Sequence, residues 1–159
     1  MKDEALKLKD KAKKAGKDAI EYSATKMADS KMTLKTVEDF EKFRETSKNT
    51  KWTDSTTGKK KEFSHRSIVI FSDTKSTFFK EMLYKLPVLQ TKAFTQGVKL
   101  KLADISMKWL DKEKFSIHNT PSLVVFENEK FLKTLQGEEN IQKVVKSMSL
   151  DINTTIDSL

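Results

Sequence analysis

The fold of this 159-residue chain is indicated by the stretch Phe115-Ser-Ile-His-Asn-Thr-Pro-Ser-Leu-Val-Val-Phe126. Its second half is an apolar run, and a second such run, Lys130-Phe-Leu-Lys-Thr-Leu135, follows closely. The polar residues Glu127-Asn128-Glu129 join the two runs, so we predict a β-hairpin. Gly137 interrupts the pattern shortly after the second run.

Three segments upstream also have the patterns of strands. Ser67-Ile-Val-Ile-Phe71 is an apolar run typical of a central strand that is buried on both faces. Val98-Lys-Leu-Lys-Leu102 and Met32-Thr-Leu-Lys35 alternate between apolar and polar residues, as strands do.

Helical periodicity separates these strands. The first such helix begins at Thr36, because Thr36 and Asp39 have the spacing of a capping box. Pro87 is expected to end or kink the second helix, and Asp104 is expected to cap the third helix near Ser106. The predicted segments after the first helix start at about Ser76, span Met107 to Phe115, and span Glu138 to Met148.

The resulting order is β-α-β-α-β-α-β-β-α, which predicts an α/β fold with a mixed central sheet and helices on both faces. Ten Phe and two Trp provide enough large apolar side chains for one compact core, although the mean hydropathy is −0.60. We expect a domain over residues 31–150, a polar loop over residues 47–62 and a loose tail over residues 151–159. The cluster Lys59-Lys60-Lys61 in that loop is interpreted as solvated.

Two segments resemble the thioredoxin and glutaredoxin family. Val69-Ile-Phe-Ser-Asp-Thr-Lys-Ser-Thr-Phe-Phe-Lys80 resembles the glutaredoxin stretch in which a strand ending in Phe-Ser leads into Cys-Pro-Tyr-Cys-Lys. Phe115–Phe126 is similar to the family's cis-proline segment, which would make Pro121 the cis-proline. The resemblance covers about residues 31–148 and implies a thioredoxin-like fold with an N-terminal helical extension.

Aligned in this way, the position of the nucleophilic cysteine holds Ser76 and that of the resolving cysteine holds Phe79. The chain contains no cysteine, which excludes disulfides, thiol catalysis and zinc–thiolate sites. A serine hydroxyl is a weak nucleophile unless a base activates it. We therefore expect a redox-inactive protein that is not an enzyme and that uses no cofactor and no metal ion.

Ser76 has two interpretations. It is expected to be the N-cap of the helix that follows it. Alternatively, it pairs with His118, three residues before Pro121, as the start of a hydrolase site. No orienting acid and no nucleophile elbow accompany that pair, so the capping role is favoured.

The resemblance also implies a peptide-binding face. In this family, the backbone of the residue before the cis-proline, here Thr120, pairs with an extended substrate in the manner of a strand. Alternatively, Pro121 serves the fold alone. Phe78 and Phe79 are considered as an apolar anchor for a partner. Alternatively, and in preference, Phe79 turns inward and fills the space that a buried cysteine would have left. We define the cis-proline face as the set of candidate binding residues Lys75, Ser76, Thr77, Phe78, His118, Thr120 and Pro121.

Residues 1–30 have the pattern of one basic amphipathic helix. Residues 1–35 carry ten lysines against six acidic residues, out of a formal net charge of +8 for the chain. Such a segment suits anionic membrane or nucleic acid, although a solvated lysine-rich helix has the same pattern. The lysines proposed for this contact are Lys7, Lys9, Lys11, Lys13, Lys14 and Lys17.

The location of the protein follows only by default. No apolar run approaches the 20 or so residues that span a bilayer, and no signal peptide is visible. We therefore expect a cytoplasmic location unless a targeting segment has been removed from the chain.

Overall fold

The structure is a computed structural model and describes residues 32–159. The predicted basic helix over residues 1–30, with its six lysines, lies outside the described residues. Within them, no helix is both long enough and apolar enough to cross a membrane.

A five-stranded mixed sheet forms the centre of the fold. Its strands are β1 Thr33–Leu34, β4 Arg66–Ser72, β5 Val98–Asp104, β6 Ser122–Glu127 and β7 Lys130–Gln136. They lie in the order β1-β5-β4-β6-β7. Strands β1, β4 and β5 are parallel to one another, whereas β6 and β7 are antiparallel to their neighbours. The predicted mixed sheet is therefore confirmed.

Within the described residues, four α-helices accompany the sheet: α1 Val37–Glu45, α2 Thr77–Phe94, α3 Gly137–Lys146 and α4 Ile152–Ser158. Thr36 caps α1 as predicted, because its hydroxyl oxygen accepts a hydrogen bond from the backbone N–H of Asp39 at 3.1 Å. Pro87 lies inside α2 rather than at its end. The helix continues because Leu89 and Ala93, beyond the proline, are buried in the core.

Alternating residues of the central strands fill two apolar clusters, one on each face of the sheet. Ile68 and Ile70 of β4 contribute to a cluster under α2, α3 and α4. Val69 and Phe71 contribute to the cluster on the opposite face, under α1 and the segment between β5 and β6. Elements on both faces of the sheet bury the apolar run of β4, residues 67–71, as its composition predicts.

The helix predicted over Met107–Phe115 is absent, and turns occupy this segment. Leu110, Phe115 and Ile117 all pack into the same apolar cluster. A helix over Met107–Phe115 would turn Leu110 and Phe115 to different sides, because residues five apart do not share a helix face. Asp104 accordingly caps a turn rather than a helix, accepting hydrogen bonds from the backbone N–H and the hydroxyl of Ser106 at 2.9 and 2.8 Å.

The loop predicted over residues 47–62 is instead a separate two-stranded antiparallel hairpin, β2 Thr50–Thr53 and β3 Lys60–Phe63. Its residues are all exposed, so no hydrophobic alternation marks the strands in the sequence. The turn between them is closed by a hydrogen bond from the N–H of Gly58 to the carbonyl of Asp54 at 2.8 Å. Gly58 has a φ of 66°, which glycine adopts without strain.

The last nine residues, expected to form a loose tail, are ordered by α4. Its Ile152 and Ile156 are fully buried in the cluster under α2. Asp151 caps the helix, and hydrogen bonds from Thr154 lower the pKa of this carboxyl below its usual value. The domain therefore extends beyond the predicted boundary at residue 150 through α4.

Candidate functional site

The register of β4 and β6 brings the two predicted site segments to one edge of the sheet. Phe71 of β4 lies opposite Ser122 of β6, and the two strands are antiparallel. The chain after Phe71 and the chain before Ser122 therefore leave the sheet at the same edge. This juxtaposition places the loop of Ser76 beside the loop of Pro121.

Ser76 is the N-cap of α2. Its hydroxyl oxygen accepts a hydrogen bond from the backbone N–H of Phe79 at 3.1 Å, and the hydroxyl donates to the carbonyl of Asp73 at 2.7 Å. The hydroxyl of the buried Ser72 lies 3.2 Å away. These contacts use the serine oxygen to hold the start of the helix.

Both phenylalanines at the start of α2 face the core. Phe79 retains 2% of its exposure and Phe78 retains 7%. The expected inward position of Phe79 agrees with this burial. Phe78 is also buried, so its ring is absent from the surface, where an anchor for a partner would have to lie. It packs inward because it lies next to Phe79 and one turn before Met82, on the apolar side of α2.

The loop before β6 carries a cis peptide bond between Thr120 and Pro121. Pro121 is buried, whereas His118, Asn119 and Thr120 are exposed. The carbonyl of Pro121 accepts a hydrogen bond from the N–H of Gly137 at 2.9 Å. This bond ties the loop to the end of β7.

Gln136, the last residue of β7, organises the same loop. Its side-chain oxygen accepts hydrogen bonds from the backbone N–H groups of His118 and Asn119, at 3.1 and 3.0 Å, and from the hydroxyl of Ser122 at 2.9 Å. Its side-chain nitrogen donates to the carbonyl of Ser116. One amide therefore fixes four points of the loop.

The backbone of Thr120 is left without a partner in the described part of the chain. No hydrogen bond from residues 32–159 reaches its N–H or its carbonyl. Its neighbours on both sides are held, since Asn119 bonds to Gln136 and Pro121 bonds to Gly137. The result is an exposed peptide unit on a fixed loop.

The remaining predicted residues of the face differ in position. Lys75 and Thr77 are exposed beside the half-buried Ser76, and the N–H of Lys75 donates to the carboxylate of Asp73 at 2.9 Å. No hydrogen bond joins Ser76 to His118. Within residues 32–159, no three His, Cys, Asp or Glu side chains are grouped closely enough to hold a metal ion.

No motif in the sequence points to Gln136. A polar residue at the end of a strand, just before a glycine, is common and indicates no particular role. The four hydrogen-bond partners of Gln136 lie 14 to 20 residues away in the chain. The only signal was its position directly before Gly137.

Comparison with known proteins gives similarity at the level of the fold. No protein-family model and no curated protein sequence matches the chain. Oxidised thioredoxin from Plasmodium falciparum superposes with a TM-score of 0.51 at 15% identity, covering 76% of this chain and 99% of that chain. The germline-specific thioredoxin Deadhead of Drosophila melanogaster superposes with a TM-score of 0.51 at 16% identity, covering 72% and 95%. A designed protein also reaches 0.51 at 19% identity, covering 79% and 93%.

Proposed function

Because residues 32–159 have a thioredoxin-like fold in a chain without cysteine, we propose that this protein is a redox-inactive polypeptide-binding or scaffolding module. Its binding surface consists of the residues of the cis-proline face other than Phe78, whose ring is buried. The ligand is an extended peptide segment of a protein partner, paired through its backbone.

The observation that carries the proposal is the exposed and unpartnered peptide unit of Thr120. An extended chain pairs with such a unit through main-chain hydrogen bonds, and neighbouring side chains then select the sequence. Gln136 and Gly137 hold the residues around it, so little conformational freedom would be lost on binding. This pairing requires no sulfur atom.

The state of Ser76 supports a binding role over a hydrolytic one. A nucleophilic serine needs a base within hydrogen-bonding distance of its hydroxyl. The Ser76 hydroxyl contacts Asp73, Ser72 and the N–H of Phe79, and these are capping contacts. Thiol–disulfide exchange has no nucleophile in this sequence.

The proposal is tested with peptides selected from a random display library on the full chain. We expect Thr120→Arg to weaken the binding of the selected peptides at least about tenfold in fluorescence polarisation, because the long charged side chain obstructs the approach of a strand to the Thr120 backbone. Thr120→Val is the matched control. It keeps the β-branched shape and the backbone, so binding through the main chain should persist.

Two outcomes would contradict this function. The first is a set of selected peptides that bind the Thr120→Arg and Ser76→Arg variants as tightly as the original chain. The second is equal weakening by Thr120→Val and Thr120→Arg, since a backbone contact would not distinguish threonine from valine. Thermal unfolding of each variant identifies losses that come from instability.

A second candidate function rests on the lysine excess of residues 1–35. In this alternative, the N-terminal segment attaches the protein to anionic membrane or to nucleic acid. Deleting residues 1–30 would then abolish the association, and the Thr120→Arg variant would retain it. The binding would also weaken steeply with added salt.

A further inference from the structure

The β2–β3 hairpin exposes two aromatic rings on one face. Thr50 lies opposite Phe63, and Trp52 lies opposite Lys61. Directly opposed residues and alternate residues share a face of a β-ribbon, so all four side chains lie on the same side. Trp52 is 51% exposed and Phe63 is 50% exposed. Neither ring packs against another aromatic ring of residues 32–159.

This face continues into the main body of the fold. Thr50 lines a cavity of about 200 Å³ together with Lys48 and Phe94, and His65 lies 2.9 Å from its hydroxyl. Phe94, the last residue of α2, is 69% exposed. The cavity shares Thr46, Phe94 and Lys99 with a neighbouring groove of about 780 Å³.

Exposed rings and lysines therefore occur together on this hairpin face and around the cavity that Thr50 lines. We call this surface the basic–aromatic track and define it by Trp52, Lys61, Phe63, Lys48, Phe94 and Lys99. Within residues 32–159, Lys48, Lys61 and Lys99 form no ion pair with a carboxylate. The lysines can therefore meet an external anion without first breaking such a pair.

The nearby carboxylates are directed elsewhere. Glu62 lies on the opposite face of the hairpin and accepts a hydrogen bond from the Asn49 amide at 3.2 Å. Asp54 lies in the turn, where hydrogen bonds from Thr56 lower its pKa. The acidic residue on the continuing groove is Asp39, beyond Lys99.

We infer that the basic–aromatic track binds single-stranded nucleic acid. Single-stranded chains are held by aromatic side chains that stack on the bases and by cations that follow the phosphates. Trp52, Phe63 and Phe94 provide the stacking surfaces, and Lys48, Lys61 and Lys99 provide the cations. The binding is tolerant of sequence, because every base has a face that can stack.

Other anionic partners fit the track less well. A hairpin that inserts into a membrane would carry apolar residues at its tip, but the tip here is Asp54-Ser55-Thr56-Thr57-Gly58. An acidic peptide would use the lysines but would not need three separated rings. The presence of both rings and cations on one surface favours a ligand that carries both bases and phosphates, which is a nucleic acid.

The test uses the full chain and an oligothymidylate of about ten nucleotides, within the range of known single-strand sites. We expect quenching of Trp52 fluorescence on binding, whereas Trp109 is half-buried and donates to the carbonyl of Lys35. Trp52→Ala, Phe63→Ala and Phe94→Ala should each weaken binding about fivefold or more. Trp52→Phe keeps a stacking ring and should retain most of the affinity.

Matched controls lie close by. Lys60 lies on the hairpin face opposite to its neighbour Lys61. Lys61→Gln should therefore weaken binding more than Lys60→Gln and reduce the salt dependence more. Tyr84 is an exposed ring on α2 outside the track, so Tyr84→Ala should have no effect. Thr120→Arg should also leave oligothymidylate binding unchanged.

Several results would overturn the inference. Affinity that survives all three ring substitutions but disappears on deletion of residues 1–30 would assign binding to the N-terminal lysines. Polyglutamate that binds as well as the oligonucleotide would indicate a general polyanion surface. Vesicles of phosphatidylserine that bind through the same rings, without oligonucleotide binding, would indicate a membrane surface. Absence of oligothymidylate binding at low salt would also contradict the inference.

Discussion

At the scale of single residues, Gln136 is the positioning residue of the cis-proline face. Its amide makes four hydrogen bonds to the loop of residues 116–122. We predict that Gln136→Ala lowers the free energy of unfolding by only about 0.5–1.5 kcal/mol, because water can replace the partners of the three exposed hydrogen bonds. Chemical denaturation measures this loss. Peptide affinity should fall as well, since the peptide unit of Thr120 is then less firmly held.

Gln136→Glu separates the contribution of the hydrogen bonds that the side chain accepts from that of the hydrogen bond that it donates. The carboxylate keeps an acceptor for the N–H groups of His118 and Asn119 but loses the donor to the carbonyl of Ser116. We therefore expect stability and peptide affinity between those of the original chain and of Gln136→Ala. A Gln136→Ala variant with unchanged peptide affinity would show that the loop does not depend on this amide.

Residues whose roles are local could be predicted from the sequence, and Gln136 could not. Thr36 caps a helix three residues from its partner, so the spacing predicts the contact. Ser76 was placed at a helix start for the same reason. The partners of Gln136 reach it only through the register of β6 against β7, and the local pattern predicts the hairpin but not that register.

At the scale of elements, α4 closes the core under α2 and α3. Ile152 and Ile156 are fully buried there, although the segment is short and polar. We predict that Ile156→Ala lowers the free energy of unfolding by about 2–5 kcal/mol, as expected for a large core side chain. Leu150→Ala is the control. Leu150 is 82% exposed, and its loss should change stability by no more than about 0.5 kcal/mol.

This measurement decides between an integral α4 and the loose tail suggested by composition. Equal, small effects of Ile156→Ala and Leu150→Ala in thermal or chemical unfolding would contradict the structure of the last nine residues. Truncation after Leu150 should reproduce the loss of stability seen with Ile156→Ala, or exceed it.

The elements that the sequence predicts correctly are those with a strong apolar pattern. The apolar run of β4 and the one-sided pattern of α2 are sufficient for their assignment. The β2–β3 hairpin has no buried face, so its strands give no alternation. The segment after β5 buries Leu110, Phe115 and Ile117 from turns, so its buried residues follow no regular period that the sequence could reveal.

At the scale of the whole molecule, the two proposed surfaces lie at opposite ends of β4. The cis-proline face follows the carboxyl end at Ser72, and the hairpin precedes the amino end at Arg66. Seven residues of strand separate them by about 20 Å. A peptide and an oligonucleotide should therefore bind without competing, which would suit a scaffold that holds two partners.

The class of fold was predictable because the order of elements and the segment around Pro121 both indicate a thioredoxin-like fold. The mixed sheet then brings Phe71 opposite Ser122, and this pairing assembles the site. The surface of the hairpin was not predictable, because its strands were assigned to a loop. An exposed ring acquires a functional interpretation only when its neighbours on the same face are known.

The proposed binding function depends on pairing between the backbone of Thr120 and an extended peptide. Amide hydrogen exchange, followed by NMR on the full chain with a selected peptide at saturation, measures this pairing. We predict that exchange at the Thr120 amide slows strongly when the peptide binds, more than at the nearby His118. Unchanged exchange at Thr120, with protection confined to the β2–β3 hairpin or to residues 1–30, would contradict it.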